Sequence, residues 1–165
     1  MKKYNISANL IRVIKHLYVK TGSAVLFNGS IGDWSRRTVG VRQGCLFSPT
    51  LFNIFLERIM TAALKYHEGT VSTGNRTIVN LRFADDTDGL AGEEEELAKL
   101  VERLDKASTD YGMEISAEKT KLITNNTNIN DINKEIKVNG QKPETVTGFK
   151  YLDSVVCGEG SKPEG

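Results

Sequence analysis

Thr77-Ile-Val-Asn-Leu-Arg-Phe-Ala-Asp-Asp-Thr-Asp-Gly-Leu-Ala91 is the stretch whose reading decides the fold. Thr77 to Phe83 is β-branched and apolar enough to be a strand, and Thr87 to Ala91 reads as a second one leading away. Between them Asp85 and Asp86 fall at a tight turn, where side chains need not be buried. The stretch therefore predicts a strand pair with two carboxylates at its tip. Such a pair suits a divalent cation: magnesium takes one or two carboxylates and completes its shell with water and phosphate oxygens. Asp-Asp is also ordinary turn chemistry, so the sequence around it has to decide between the two readings.

Upstream, Ser7 stands where it caps a helix with Leu10, Ile11, Ile14, Leu17 and Tyr18 on one face, and Gly22 stands where that helix stops. The pattern is that of an amphipathic helix packed on a sheet. Residues 23 to 28 and 35 to 41 read as a hairpin turning through Gly29 to Asp33. Ser48-Pro49 opens a second helix, with the serine hydroxyl predicted to cap it. It should run to about Tyr66 and be mostly buried through Leu51, Phe52, Ile54, Phe55, Ile59 and Leu64.

Downstream, Glu93 to Glu96 form the solvated first turn of a third helix, with Leu97, Leu100, Val101 and Leu104 on its inner face. Short strands are expected at Met113 to Ile115 and near Leu122 and Ile123, then a mobile polar loop from Asn125 to Asn133. Glu135 to Val138 and Val146 to Val156 read as strands, with a hairpin signal at Asn139-Gly140. No internal repeat is visible. The order of elements predicts an α+β fold, an antiparallel sheet with helices packed on one face, in one domain spanning residues 1–165.

Composition sets the outer limits. With 39% apolar and 26% charged residues, the 165-residue chain is ordinary globular protein. A formal net charge of +1 gives no general attraction to phosphate backbones, so a nucleic-acid contact must come from a local patch such as Arg36, Arg37 and Arg42. Cys45 and Cys157 form no metal-ligand or disulfide spacing, and His16 and His67 are isolated. The absence of a signal-like or membrane-spanning apolar run predicts an intracellular protein, in cytoplasm or nucleus.

Gly40-Val-Arg-Gln-Gly-Cys-Leu-Phe-Ser-Pro49 supplies the context for the paired aspartates. Gly44 allows close backbone approach to a ligand, Gln43 both donates and accepts, and Ser48 opens the helix. The string G-V-R-Q-G-C-x-x-S-P followed by F-A-D-D resembles, in motif, order and separation, the reverse transcriptases of non-LTR, LINE-like retrotransposons. Gly112 to Thr120 with Lys119-Thr120, and Phe149-Lys-Tyr-Leu152, fit the same family, so the resemblance covers essentially the whole chain.

That resemblance implies RNA-directed DNA polymerisation: nucleotidyl transfer from a dNTP to a primer 3′ hydroxyl on an RNA template, with Mg2+ as cofactor. It implies Asp85 and Asp86 as catalytic metal ligands, Asp85 the stronger. Gln43, Gly44, Ser48 and Pro49 would line the nucleotide and template side, and Lys119 would approach the phosphates. Phe149, Lys150, Tyr151 and Leu152 would form the hairpin that steadies the DNA primer.

The family also uses an aspartate on a strand that precedes the first helix. The expectation is thus a palm fragment without fingers, that first aspartate strand or thumb, inactive alone, with a sheet edge beside Phe83 to Asp86 open to self-association. Phe47, Ser116 and Asp153 depart from the family's usual leucine, asparagine and glycine, and a glycine replaced at Asp153 implies backbone strain if φ is positive there.

Overall fold

The computed structural model describes residues 1–19, 22–36, 39–125, 136–152 and 154–158. It is a mixed α+β fold, as the order of elements predicts, and it divides into two compact units, Met1–Ile54 and Phe55–Gly165. Strand pairing among the described residues is spread over six two-stranded ladders, five antiparallel and one parallel, where the sequence suggested one sheet.

In the first unit, α1 (Ala8–Tyr18) starts as expected: Ser7 Oγ accepts from the Leu10 amide at 3.3 Å. Its apolar stripe is not packed on a sheet, however. None of its residues is buried, and Leu10 and Leu17 are exposed. The hairpin that follows is nested. β1 (Gly22–Ser23) pairs with β4 (Ser35–Arg36), and inside them β2 (Leu26–Phe27) pairs with β3 (Ser30–Ile31). The turn is Asn28-Gly29, with φ of 47° and 77°, rather than the Gly29 to Asp33 region. An Asn-Gly pair with both φ positive is the preferred two-residue hairpin loop, which explains the earlier turn. Val25, Leu26, Phe27, Ile31 and Trp34 all remain exposed.

α2 (Ser48–Ala63) ends a little before Tyr66, and its buried apolar residues are Ile59, Met60 and Ala63, all in its C-terminal half. The expectation of a mostly buried helix holds only there, since Phe55 stays partly open.

The second unit holds the core. Ile59 and Ala63 pack on Ala107 of α3 (Glu94–Asp110), with Leu104, Tyr111 and Met113 around them, and Phe55 meets Tyr111 edge-on at 6.0 Å between ring centroids. A neighbouring cluster joins Leu122 and Ile136 to Leu97, Ala98 and Val101 of α3. α3 ends in a Schellman motif, in which Met113 N donates to Ser108 O, Gly112 N donates to Thr109 O, and Gly112 takes φ +73°. That motif turns Met113 into the core, so the strand expected at Met113 to Ile115 does not form.

β5 (Ser72–Thr73) and β6 (Arg76–Thr77) make a small hairpin that the sequence did not reveal. β7 (Asn80–Phe83) and β8 (Asp86–Gly89) make the acidic hairpin. β9 (Lys121–Leu122) lies parallel to β10 (Glu144–Thr145), and the Lys121–Glu144 ion pair bridges them. Val138 and Gln141 bridge across the Asn139-Gly140 turn as the sequence implied. Asn139 anchors that turn: its amide donates to Asp105 of α3 and its side chain to the Ile115 carbonyl. β11 (Gly148–Tyr151) and β12 (Ser154–Cys157) close the series as a hairpin. The polar loop from 126 onward, Glu135 and Arg37 lie outside the described residues, as does Asp153.

Candidate active site on the acidic hairpin

The register of β7 on β8 pairs Phe83 with Asp86, Arg82 with Thr87, Leu81 with Asp88 and Asn80 with Gly89. Ala84 and Asp85 are therefore the two residues of the loop. Ala84 takes φ +53°, a left-handed conformation that costs a non-glycine residue roughly 1–2 kcal/mol. Two-residue hairpin loops require positive φ at their first position, so alanine accepts strain where asparagine or glycine is usual. The consequence is that Asp85 stands at the apex and Asp86 begins the returning strand, both exposed.

Side chains alternate along a strand, so the register also assigns the faces. Arg82, Thr87 and Gly89 share the inner face. Arg82 Nη1 reaches Glu57 Oε2 of α2 at 3.0 Å, and a β-carbon added to Gly89 would stand 3.3 Å from Leu100 Cδ2 of α3. The opposite face carries Leu81, Phe83, Asp86 and Asp88, and Leu81 and Phe83 there are exposed. The hairpin is thus held from behind by two helices and presents its acids on the open side.

The electrostatics agree with that assignment. Partial burial, and then the Asp86 charge, push the Asp88 carboxyl above its ordinary range. The Tyr151 phenol of β11 is also raised, by burial first and then by the charges of Asp88 and Asp86. Tyr151 therefore sits within electrostatic reach of the open face. Phe149 lies two residues before it on β11, with the two rings edge-on at 6.4 Å. Lys150, between them, is exposed, and Leu152 enters the β11–β12 loop with φ +54°. Asp88 lies two residues beyond Asp86 on the strand, as the sequence indicates, and strand alternation brings both to the open face.

Lys119 stands in a turn built on Ser116, whose Oγ accepts from the Lys119 amide at 3.4 Å and whose carbonyl accepts from Thr120. Serine there makes the same kind of local hydrogen bond that asparagine would, so this departure from the family pattern keeps the turn. In the first unit Gln43 and Gly44 are the centre of a turn closed by Cys45 N donating to Arg42 O, and Gly44 has φ +75°. A β-carbon at Gly44 would meet nothing within 4 Å, so the glycine serves the backbone angle here. Ser48 is buried, and its hydroxyl donates to the Arg42 carbonyl and lies 3.5 Å from the Tyr18 hydroxyl. It fastens the Gln43-Gly44 turn to the start of α2 in place of the capping role expected of it. Pro49 follows in the first turn, exposed.

As donors, Asp85 and Asp86 fit part of the ligand set of a hard divalent cation, which takes one or two carboxylates with water and phosphate. Among the described residues, no group of three or more His, Cys, Asp or Glu side chains is placed to hold a metal ion. No helix among them is long and apolar enough to cross a membrane.

An α+β chain with helices behind a strand turn that projects adjacent aspartates is consistent with a polymerase palm. The chain belongs to the reverse transcriptase (RNA-dependent DNA polymerase) family, which matches residues 1–153. Enzymes of this family generally use divalent metal ions and act on a nucleic-acid template and primer. No solved structure matches the chain.

Proposed function

We propose that this chain is palm sequence of a non-LTR, LINE-like retrotransposon reverse transcriptase, and that Asp85 and Asp86 are its catalytic carboxylates. The observation that carries the reading is the acidic hairpin: its inner face is tied to α2 and α3, and its outer face carries Asp86 and Asp88 together. Bound Mg2+ would neutralise the phosphates of the dNTP and favour attack by the primer hydroxyl. The chain's own residues hold and orient. Asp85 and Asp86 provide fixed oxygen donors, and the strained Ala84 fixes the angle at which Asp85 leaves the strand. Lys119 would meet the nucleotide phosphates, and Phe149 to Leu152 would support the DNA primer end. Gln43 and Gly44, fastened through Ser48 ahead of Pro49, would face nucleotide and RNA template.

Two carboxylates from one turn are fewer than a two-metal site needs, so we propose that these 165 residues do not polymerise alone. A third acid would come from an upstream palm strand in a longer product. A second reading, a non-catalytic nucleic-acid-binding remnant or a relic, is favoured by one observation: Val25, Leu26, Phe27 and Trp34 are exposed. The edge of β7 away from β8 is a further place where copies could associate.

Primer extension on an RNA template with magnesium tests the reading, using this chain and a version carrying the upstream aspartate strand and fingers, each with Asp85→Ala. Extension by the longer form only, abolished by Asp85→Ala, is the expected result. Template binding indifferent to Asp85→Ala, with no extension by either form, would establish the remnant reading instead.

A further inference from the structure

Residues 71–91 run from α2 to α3 through β5, β6, β7 and β8, with the acidic turn between β7 and β8. The two ends of this segment meet at one carboxylate. Glu96, in the first turn of α3, accepts from the Thr70 amide at 3.0 Å, from the Thr70 hydroxyl, and from the Gly92 amide at 3.1 Å. The Gly92 amide also lies 3.0 Å from Thr70 Oγ1. Behind it, His67 Nε2 approaches Glu96 Oε1 at 3.6 Å, and these side chains are only 5% and 11% exposed. Glu96 is thus no solvated first-turn acid, as its place in the run Glu93 to Glu96 suggested. Burial alone would raise its pKa, but the hydrogen bonds from Thr70 and Gly92, with the His67 charge, outweigh that and hold it below the ordinary glutamate range.

We propose that Glu96 is a positioning residue for the acidic hairpin, closing the base of the segment that carries Asp85 and Asp86 by joining Thr70 to Gly92. This inference rests on the proposed role of the two aspartates. A loop's tip is only as well placed as its ends, and the ends of residues 71–91 are joined by three donors to one side chain. Arg82 and Gly89 dock the middle of the hairpin, while Glu96 fixes where it begins and finishes.

The test uses the 165-residue chain labelled for NMR, with amide hydrogen exchange and Mn2+ titration as readouts. Glu96→Gln keeps the size of the side chain but loses the charge and one acceptor. Gly92→Ala attacks the same junction without changing charge, because its β-carbon would stand 2.5 Å from Thr70 Oγ1 and displace it. Each variant should speed exchange at Thr70, residue 92 and the β7–β8 amides by about tenfold, the effect of losing one charge-assisted hydrogen bond. Each should also weaken Mn2+ broadening at Asp85 and Asp86 several-fold, with exchange at Leu100 and Val101 of α3 unchanged.

A purely structural role would instead accelerate α3 in step with the hairpin, and that result overturns the proposal. So does wild-type exchange and Mn2+ response in both variants. Should Glu96→Gln unfold the chain, Gly92→Ala decides alone. Parental Mn2+ broadening that survives Asp85→Ala would remove the metal reading, while the exchange data still decide whether Glu96 closes the segment.

Discussion

Truncating Leu100 to alanine removes the side chain that α3 presses against the back of the acidic hairpin. Leu100 is 3% exposed, and its Cδ2 would be 3.3 Å from a β-carbon at Gly89, so the leucine already fills the space beneath β8. A buried Leu→Ala change costs about 2–5 kcal/mol, part lost transfer free energy and part residual cavity. At about 3 kcal/mol the melting midpoint of a chain of this size falls by roughly 6–12 °C. The contact makes a sharper prediction than the loss itself. Gly89→Ala alone should destabilise, because Leu100 must give way. In the Leu100→Ala background the same added methyl enters the space just vacated and should recover part of the loss. Urea unfolding followed by circular dichroism measures the four corners of the cycle, with an expected coupling of about 0.5–3 kcal/mol. Costs that add within about 0.5 kcal/mol would refute the packing of β8 on α3 described above.

Gly44→Ala should cost about 1–2 kcal/mol through its φ of +75° alone, since its methyl meets no neighbour, and chemical unfolding of the first unit reads it. Asp88→Asn should stabilise the chain at neutral pH. The folded state raises the Asp88 pKa, so charged Asp88 opposes folding above that value; the gain should fade as the pH falls through the raised pKa to the unfolded value of about 3.9 in pH-dependent unfolding. Leu81→Lys, placing a charge on β7, should lower any concentration-dependent mass seen by sedimentation, and unchanged association would exclude this edge.

The helices were legible because their signals are local. Ser7 caps through the Leu10 amide three residues on, and α1 begins where it stands, but α1 ends at Tyr18, short of Gly22, which falls in β1 instead. Turns were legible for the same reason at Asn139-Gly140, and Asn28-Gly29 carried the identical signal, although the first hairpin was assigned to the wrong turn. The β5–β6 hairpin escaped notice because Ser72, Thr73 and Arg76 are polar and exposed, so no alternation marks them, and Thr77, read as the start of the next strand, belongs to β6 instead. How strands join into sheets was less legible, because pairing depends on which distant segments meet. The acidic hairpin is set by its turn and by the docking of β8 on α3, and apolar runs alone do not encode that.

The site divides along the same line between local and distant causes. Asp85 and Asp86 could be named from the turn, and Tyr151 from a motif, but nothing in either string says that the charges of Asp88 and Asp86 reach the Tyr151 phenol and raise its pKa. Glu96 is the clearest case. In sequence it is one of four consecutive glutamates, and a helix N-terminus accounts for all four equally well. In the fold, Glu93 is the cap without a side-chain cap bond, Glu95 pairs with Lys99 on the surface, and Glu96 alone accepts from Thr70, 26 residues away. The partner distinguishes it, and the partner arrives only because residues 71–91 fold back on themselves. A residue that closes such a segment therefore looks like any other member of its charge run until the segment is closed. The exchange experiment on Glu96→Gln asks whether one glutamate of four holds the hairpin that carries the aspartates.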